Sequence, residues 1–373
     1  MATLLSTAAD YRGAGIHQYS KALLTHLPRQ APEFAYHAFL MDRAFEPAGV
    51  KVHRASRLSS SPPQRILWEQ VQVARLARRL KLDLVHGFAY ALPVALSLPA
   101  VVTVHDLTFI RFPHAFPKSK QRYLSWMTAH SCRRARVVIA DSQATAADLH
   151  ALLDIPAEKI EVIYPGVDAR YRPLPAAEVA AYRQRKGWPE RFILMVGTLE
   201  PRKNHLGLIE AYAIYRSRAR RALPLVIGGG KGWYYEQIFA RVQALGLEED
   251  VHFLGFVPWE DLPWLYNAAT VFVYPSRYEG FGLPVAEAMR CGLPVITSTA
   301  SSLPEVAGDA AITIDPDDSE ALARTMLTLT ESEPERLASM RERGQIRAQR
   351  FRWEHTAAQT ARVYARALNL PHA

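Results

Sequence analysis

Cysteine is scarce in this 373-residue chain, where only Cys132 and Cys291 occur, far apart in sequence. Two thiols so placed build neither a disulfide framework nor a cysteine metal site, and both read as small buried apolar groups. Long apolar runs are missing as well. No stretch of about 18 apolar residues occurs, which excludes a membrane-spanning helix on length. The opening MATLLSTAADYRGAGIHQYS has no basic flank followed by an apolar core, because an Asp, an Arg and glycines interrupt it. A cytoplasmic protein is the expectation. No Walker loop or GxGxxG follows a strand, and no Ser-His-Asp signature is present, so ATPase, dinucleotide and serine-hydrolase chemistries lack their physical parts. Short internal repeats and low-complexity tracts are absent too, which excludes solenoids and disordered tails.

What is present is apolar material, 49% of residues against 22% charged. At this length the default is two domains, because a single core rarely grows so large. Short β-branched runs recur between helical stretches: VVTVHDL (101–107), RVVIADS (136–142), IEVIYPGV (160–167), FILMVGT (192–198), LPLVIGGG (223–230), VFVYPS (271–276) and LPVITST (293–299). Each is a continuous apolar segment ending in small or polar residues, the pattern of parallel strands covered on both faces by crossover helices. The expected class is α/β.

From Asp168 to Arg191 the strand pattern lapses around Pro173, Pro175 and Pro189. This predicts an N-terminal domain at 1–170, a linker at 171–190 and a C-terminal domain at 191–350. Residues 351–373 carry FRWEHTAAQTARVYARAL, an amphipathic helix with Phe351, Trp353, Ala361 and Tyr364 near helical spacing. In open parallel sheets ligands gather beyond the carboxyl ends of the strands, so two facing domains would share a cleft there.

The net charge of +9 is uneven, since residues 1–186 hold 25 basic and 14 acidic side chains and the remainder 20 and 22. A basic face suits nucleic acid, an anionic membrane or a phosphorylated substrate, and charge alone does not choose among them.

The densest chemical signal is PSRYEGFGLPVAEAMRCGLPVITS, residues 275–298. A strand ends at Pro275, a glycine-containing loop follows, Pro284 suits the first turn of a helix and Gly292 its end. Glu279 is then expected in the loop and Glu287 in the first helical turn, with the amides of Phe281, Gly282 and Leu283 forming a polar cradle. Spacing alone leaves open an ordinary capping device beside a solvated Glu.

The string EGFGLPVAEAM is more specific. It resembles the paired-glutamate motif of the retaining glycosyltransferases of family 4, whose GT-B architecture sets two Rossmann-like domains with parallel sheets face to face across a cleft. The resemblance implies that Glu279 lies against donor-sugar hydroxyls, that Glu287 hydrogen-bonds the ribose, and that Gly280, Phe281, Gly282 and Leu283 belong to the donor-binding loop. It also implies that the C-terminal helix returns to the N-terminal domain.

In VGTLEPRKNHLGLIEAY, residues 196–212, a strand gives way to a helix near Asn204, and Arg202 with Lys203 stands at the junction. Cations beside exposed helix amides suit a diphosphate. A solvated basic pair is the plain alternative. Many family members carry Arg at the position of Thr198, whereas this chain has Arg202. The EPRKN variant resembles bacterial mannosyltransferases of surface-polysaccharide assembly.

The resemblance further assigns the loop of Gly13 and Gly15 to the donor diphosphate, and His105 of the His105–Asp106 pair to a place near the reacting carbon. His86 and Asp106 are expected to shape the acceptor side or hold a loop. Phe256 and Val257 lie in a segment similar to the one lining the base pocket, where plain packing explains them equally well.

No metal ligands are assigned. Asp315-Pro316-Asp317-Asp318 imitates a metal-holding DxD, but its place between an apolar run and SEALARTM suits a turn and a helix cap. No cofactor is expected, with a GDP- or UDP-linked sugar as donor substrate and a glycan or lipid-linked acceptor. Two basic segments with aromatics, 65–81 and 118–136, suit an anionic membrane surface, hence a peripheral location at its inner face, or simply solvated helix faces. No nucleic-acid module is recognisable. A nucleotide-sugar-binding protein of the same fold without transferase activity is the alternative reading.

Overall fold

The computed structural model describes residues 15–40, 42, 44–54, 62–332 and 334–370. The chain divides into two compact units, one running to Gly166 and taking in Phe351–Ala373, the other Val167–Arg350.

In the first unit, β1 (Tyr36–Leu40) pairs in parallel with β2 (Val50–Arg54). β3 (Val85–Gly87), β4 (Ala100–Val104), β5 (Val137–Ala140) and β6 (Ile160–Val162) form a parallel sheet in that order. Every residue of β4 and β5 is buried, as continuous apolar strands between crossover helices must be. The Gly15–Gln30 helix contributes Tyr19, Leu23 and Leu27 to the same core as Trp353, Ala357, Ala361 and Tyr364 of the Trp353–Ala367 helix. Gly166 lets the chain pass this C-terminal helix, since a Cβ there would lie 2.3 Å from the Trp353 backbone nitrogen. The basic segment expected as one helix over 65–81 is broken into Pro62–Leu67, a π-helical turn Trp68–Val73, and Ala74–Arg79.

The second unit has one six-stranded parallel sheet: β7 (Ile193–Val196), β8 (Leu225–Gly228), β9 (Val251–Gly255), β10 (Val271–Tyr274), β11 (Val295–Ser298) and β12 (Ile312–Ile314), ordered β12-β11-β10-β7-β8-β9. The chain builds outward from β7 through β9, then returns to place β10 on the other side of β7. Strand order therefore reverses between β7 and β10, which is where a doubly wound sheet opens a crevice at its carboxyl edge.

The stretch expected as a linker belongs to this unit. Tyr171 is fully buried, edge-on to Trp259 and Tyr266. The Ala176–Lys186 helix stacks Tyr182 on Trp264 at 4.7 Å and sends Lys186 to Asp261 at 2.6 Å. Pro175 caps a helix rather than frees the chain, and the division falls after Gly166 instead of after 170. β9 and β12, absent from the strand expectations, are short edge strands with partly exposed residues, so they lack a continuous buried run.

Backbone pairing continues past the strand ends. Gly197 N donates to Gly228 O at 2.8 Å, Leu199 N to Gly230 O at 2.9 Å and Gly229 N to Gly255 O at 2.8 Å. The loops after β7, β8 and β9 thus form one sheet extension. It requires glycine at 229, where a Cβ would lie 1.9 Å from the Gly197 carbonyl oxygen. Gly229→Ala is expected to destabilise the protein by about 2 kcal/mol or more. Equilibrium urea unfolding checks this, and an unchanged midpoint would refute the tight junction.

Candidate active site

Two loops meet at the reversal of strand order. After β7 the chain turns through a 3₁₀ segment, Pro201–Lys203, and Asn204 takes a left-handed conformation (φ 60°) before the His205–Arg218 helix. After β10 it runs from Tyr274 to Gly282, which at φ 98° caps the Leu283–Arg290 helix. The loops are stitched together, Arg277 N donating to Arg202 O at 2.9 Å, with Ser276 Oγ 3.0 Å from the same carbonyl. Neighbouring parallel strands thereby carry Arg202, Lys203 and Glu279, distant in sequence, into one cluster.

Its centre is the Glu279 carboxylate. Oε1 accepts from Lys203 Nζ at 2.7 Å, Ser276 Oγ at 2.7 Å and the Tyr274 hydroxyl at 2.9 Å. Oε2 accepts from Arg202 Nη1 at 2.9 Å. Arg202 also donates to the Tyr278 carbonyl at 2.7 Å and pairs with Glu200 at 2.7 Å. Ser302 Oγ stands 2.9 Å from the carbonyls of both Glu279 and Phe281 and shares its one proton between them, holding the loop.

Burial by itself would raise the Glu279 carboxyl, but the charges of Arg202 and Lys203, with the Lys203 and Ser276 hydrogen bonds, bring it down to about 2. Lys203 is pushed below its ordinary value by burial and by Arg202, with Glu279 and Glu200 opposing. The cluster groups two basic side chains, Arg202 and Lys203, with two acidic ones, Glu200 and Glu279.

Glu287 sits apart. It is the fifth residue of its helix, past the first turn in which the sequence placed it, and accepts from the Tyr266 hydroxyl at 3.0 Å. Burial raises its carboxyl to about 7, against the hydrogen bond from Tyr266. The paired glutamates of the motif therefore stand in opposite states, one firmly ionised and one half-protonated near neutrality. Gly280, Phe281, Gly282 and Leu283 form the loop and helix start between them, with Phe281 buried. Phe256 is 69% exposed beyond β9, and Val257 packs a methyl group over Gly228. Neither belongs to the charged cluster.

In the first unit, His105 follows β4 and both its ring nitrogens are engaged, Nδ1 with Asp141 Oδ2 at 2.6 Å and Nε2 with the Phe88 carbonyl at 2.8 Å. Burial lowers its basicity, yet Asp141 and the Phe88 carbonyl outweigh that and hold it above the usual histidine value. His86 is bound between the Tyr364 hydroxyl (2.7 Å) and Thr103 (2.8 Å), tying β3 to the C-terminal helix. Asp106 accepts from Thr108 N at 2.8 Å at the head of a short helix. Gly15 is exposed as the first residue of its helix, and Gly13 lies outside the described residues.

Among the described residues no three His, Cys, Asp or Glu side chains are grouped to hold a metal ion. In the DxD-like string Asp318 caps the Ser319–Thr330 helix and Asp317 pairs with Arg277 at 2.6 Å. Sequence reasoning missed Glu200, Tyr274, Ser276 and Ser302, although all four lie at or just beyond strand ends. Their signal was there in a polar group closing an apolar run.

A family model described as "Glycosyl transferases group 1" matches residues 179–347, and one described as "Glycosyltransferase Family 4" matches residues 13–171. The O-antigen chain mannosyltransferase B of Escherichia coli is 37% identical over 282 residues, which is 75% of this chain and 73% of that protein. Serotype-specific mannosyltransferase WbdA of Escherichia coli is 33% identical over 197 residues, 52% of this chain but only 24% of WbdA. Among solved structures, sucrose-phosphate synthase from Thermosynechococcus elongatus matches with a TM-score of 0.78 at 23% identity over 99% of both chains. Anabaena HepE, solved in complex with UDP and glucose, matches with a TM-score of 0.76 at 24% identity over 98% of this chain and 100% of its own. The fold is GT-B, with two Rossmann-like domains.

The two glutamates predict opposite pH effects on stability. Glu279, depressed to about 2, stabilises the fold above its unfolded value of 4.5 and loses that contribution as pH falls toward 2. Glu287, raised to about 7, binds its proton more tightly folded than unfolded, so stability falls as pH rises from 4.5 through 7. Glu287→Gln, a mimic of the protonated acid, is expected to match the wild type near pH 4.5 and to exceed it by about 3 kcal/mol at pH 8. Denaturant titrations at both pH values check this, and a constant difference would refute it.

Proposed function

The chain belongs to the group 1 glycosyl transferases, and on that premise we propose that it moves a hexose, mannose first, from a nucleoside diphosphate sugar to a hydroxyl of a glycan or lipid-linked acceptor, with retention of anomeric configuration. The observation that carries this reading is the buried cluster of Lys203, Arg202 and Glu279 at the adjoining carboxyl ends of β7 and β10. Cations held against a carboxylate are preorganised for an anion whose charge grows as its bond to the sugar breaks. Lys203 spends two of its three N–H donors on Tyr274 and Glu279, leaving one direction for a diphosphate oxygen. Glu279, acceptor-only at neutral pH, suits sugar hydroxyls, and Glu287 suits a ribose diol.

No side chain is assigned as covalent nucleophile. Glu279 is strongly stabilised as the carboxylate, with both oxygens committed to hydrogen bonds. The acceptor hydroxyl then attacks on the leaving phosphate's own face and passes its proton to a phosphate oxygen, with Lys203 stabilising the departing charge. His105 takes the sugar side in this reading, and the exchange proceeds without a metal. GDP-mannose is preferred over UDP-hexoses on the EPRKN resemblance, and mannose also because the relative aligned over 73% of its own length is a mannosyltransferase.

No helix among the described residues is long and apolar enough to cross a membrane. On the Lys118–Arg134 helix, Lys118 and Arg122 are exposed on the face that carries Trp126, itself 54% exposed. A cationic face with an amphipathic aromatic fits peripheral contact with anionic lipid on the cytoplasmic side, where a lipid-linked acceptor would be met.

Melting temperatures measured with GDP, UDP, ADP and their sugars are expected to rise most with the guanine series. GDP-mannose turnover on a mannose-terminated acceptor is expected to fall by about 10²- to 10³-fold in Lys203→Ala. Full turnover in that variant would overturn the role of Lys203, and binding without turnover on any acceptor would favour the non-transferring reading. Sedimentation with phosphatidylglycerol vesicles is expected to weaken with salt. Equal binding to neutral vesicles would remove the electrostatic contact.

A further inference from the structure

Tyr274 closes β10 and is fully buried, yet its hydroxyl lies in the middle of the charged cluster. It accepts from Lys203 Nζ at 2.5 Å and donates to Glu279 Oε1 at 2.9 Å. The same ammonium stands 5.1 Å from the centre of the Tyr274 ring. A cation near an aromatic ring and hydrogen-bonded to its hydroxyl is restrained twice by one side chain that adds no charge. The ring itself is buried and stacked on Phe272 at 5.7 Å and 16°.

We propose that Tyr274 is a positioning residue for Lys203, the neutral tether that keeps the ammonium aimed when Glu279 turns from its internal partners to a bound sugar. The proposal rests on the transferase reading given above. Its logic lies in what each partner of Lys203 can do. Glu279 is a counter-ion, but a carboxylate that takes up sugar hydroxyls gives up part of its hold on Lys203. Arg202, beside it, is a like charge bound to Glu200 and repels the ammonium. Glu200 is occupied by Arg202. Of the four groups around Lys203, only the Tyr274 hydroxyl is both uncharged and fixed by the strand. A carboxylate in its place would hold the lysine equally well but would cancel the positive charge the diphosphate needs.

Tyr274→Phe deletes the hydroxyl and keeps the ring, while Tyr274→Leu deletes both. In the full chain, with wild-type transfer from GDP-mannose or a UDP-hexose measured first, Tyr274→Phe is expected to leave KM for the donor within about threefold and to lower kcat by about ten- to a hundredfold. The basic limb of the kcat–pH profile is expected to shift to lower pH, because Lys203 loses an acceptor that favours its charged form while Arg202 still opposes it and Glu279 and Glu200 still support it. Tyr274→Leu is expected to lower kcat further. A wild type that transfers no sugar would sink the transferase reading itself. A transferring wild type whose Tyr274→Phe variant melts lower but keeps kcat and the basic limb would overturn the tether alone and leave Tyr274 a packing residue.

Discussion

Lys203 and Glu279 are only 8% and 6% exposed, and neither charge could be buried without the other. An isolated ammonium or carboxylate in such surroundings loses several kcal/mol of hydration, and removing one partner of a buried pair typically costs about 3–5 kcal/mol. The pair is tolerable because each charge has more than one polar partner. Glu279 draws on Ser276, Tyr274 and Arg202, while Glu200 balances Arg202. Such a cluster forms only if two loops far apart in sequence are delivered to one point, and much of the second unit can be read as the means of that delivery.

Delivery follows from sheet topology. β7 and β10 adjoin because the chain winds outward from β7 and then restarts on its opposite side. Neighbouring strands in a sheet lie about 4.8 Å apart, so side chains just beyond their ends meet with little further adjustment. Glycine at 229 lets the loops after β7 and β8 press together, and glycine at 282 supplies the left-handed turn that starts the next helix on time. Arg202 shows how local sequence adapts within this frame. Its guanidinium enters from the 3₁₀ turn and reaches Oε2 of Glu279 while Lys203 holds Oε1, with Glu200 as its anchor.

The two motif glutamates differ for reasons that spacing cannot supply. Eight positions apart on one loop and helix, they meet different neighbours: two cations at Glu279, a buried tyrosine hydroxyl at Glu287. One site is built to keep a charge, the other to hold a carboxyl that changes state near neutrality. His105 is similar. Its position after β4 could be read from VVTVHDL, but its tight clasp between Asp141 and the Phe88 carbonyl depends on two other segments of the first unit.

The sequence by itself determined the α/β class and the main buried strands, because these rest on local signals: continuous apolar runs and the residues that end them. It singled out Lys203 and Glu279 only through the resemblance of their motifs, since spacing left a helix cap and a solvated pair open. It misjudged 171–190, since prolines mark both free linkers and the starts of packed elements, and only packing of Tyr171 and Tyr182 against Trp259 and Trp264 tells them apart. Tertiary structure alone decided which polar residues share a site. Glu200 lies within reach of Arg202 along the chain, and Tyr274 and Ser276 within reach of Glu279, but the two groups become one cluster only when β10 is laid beside β7. Electrostatic state follows the same rule, because a charge is set by what surrounds it in space and not by what precedes it in sequence.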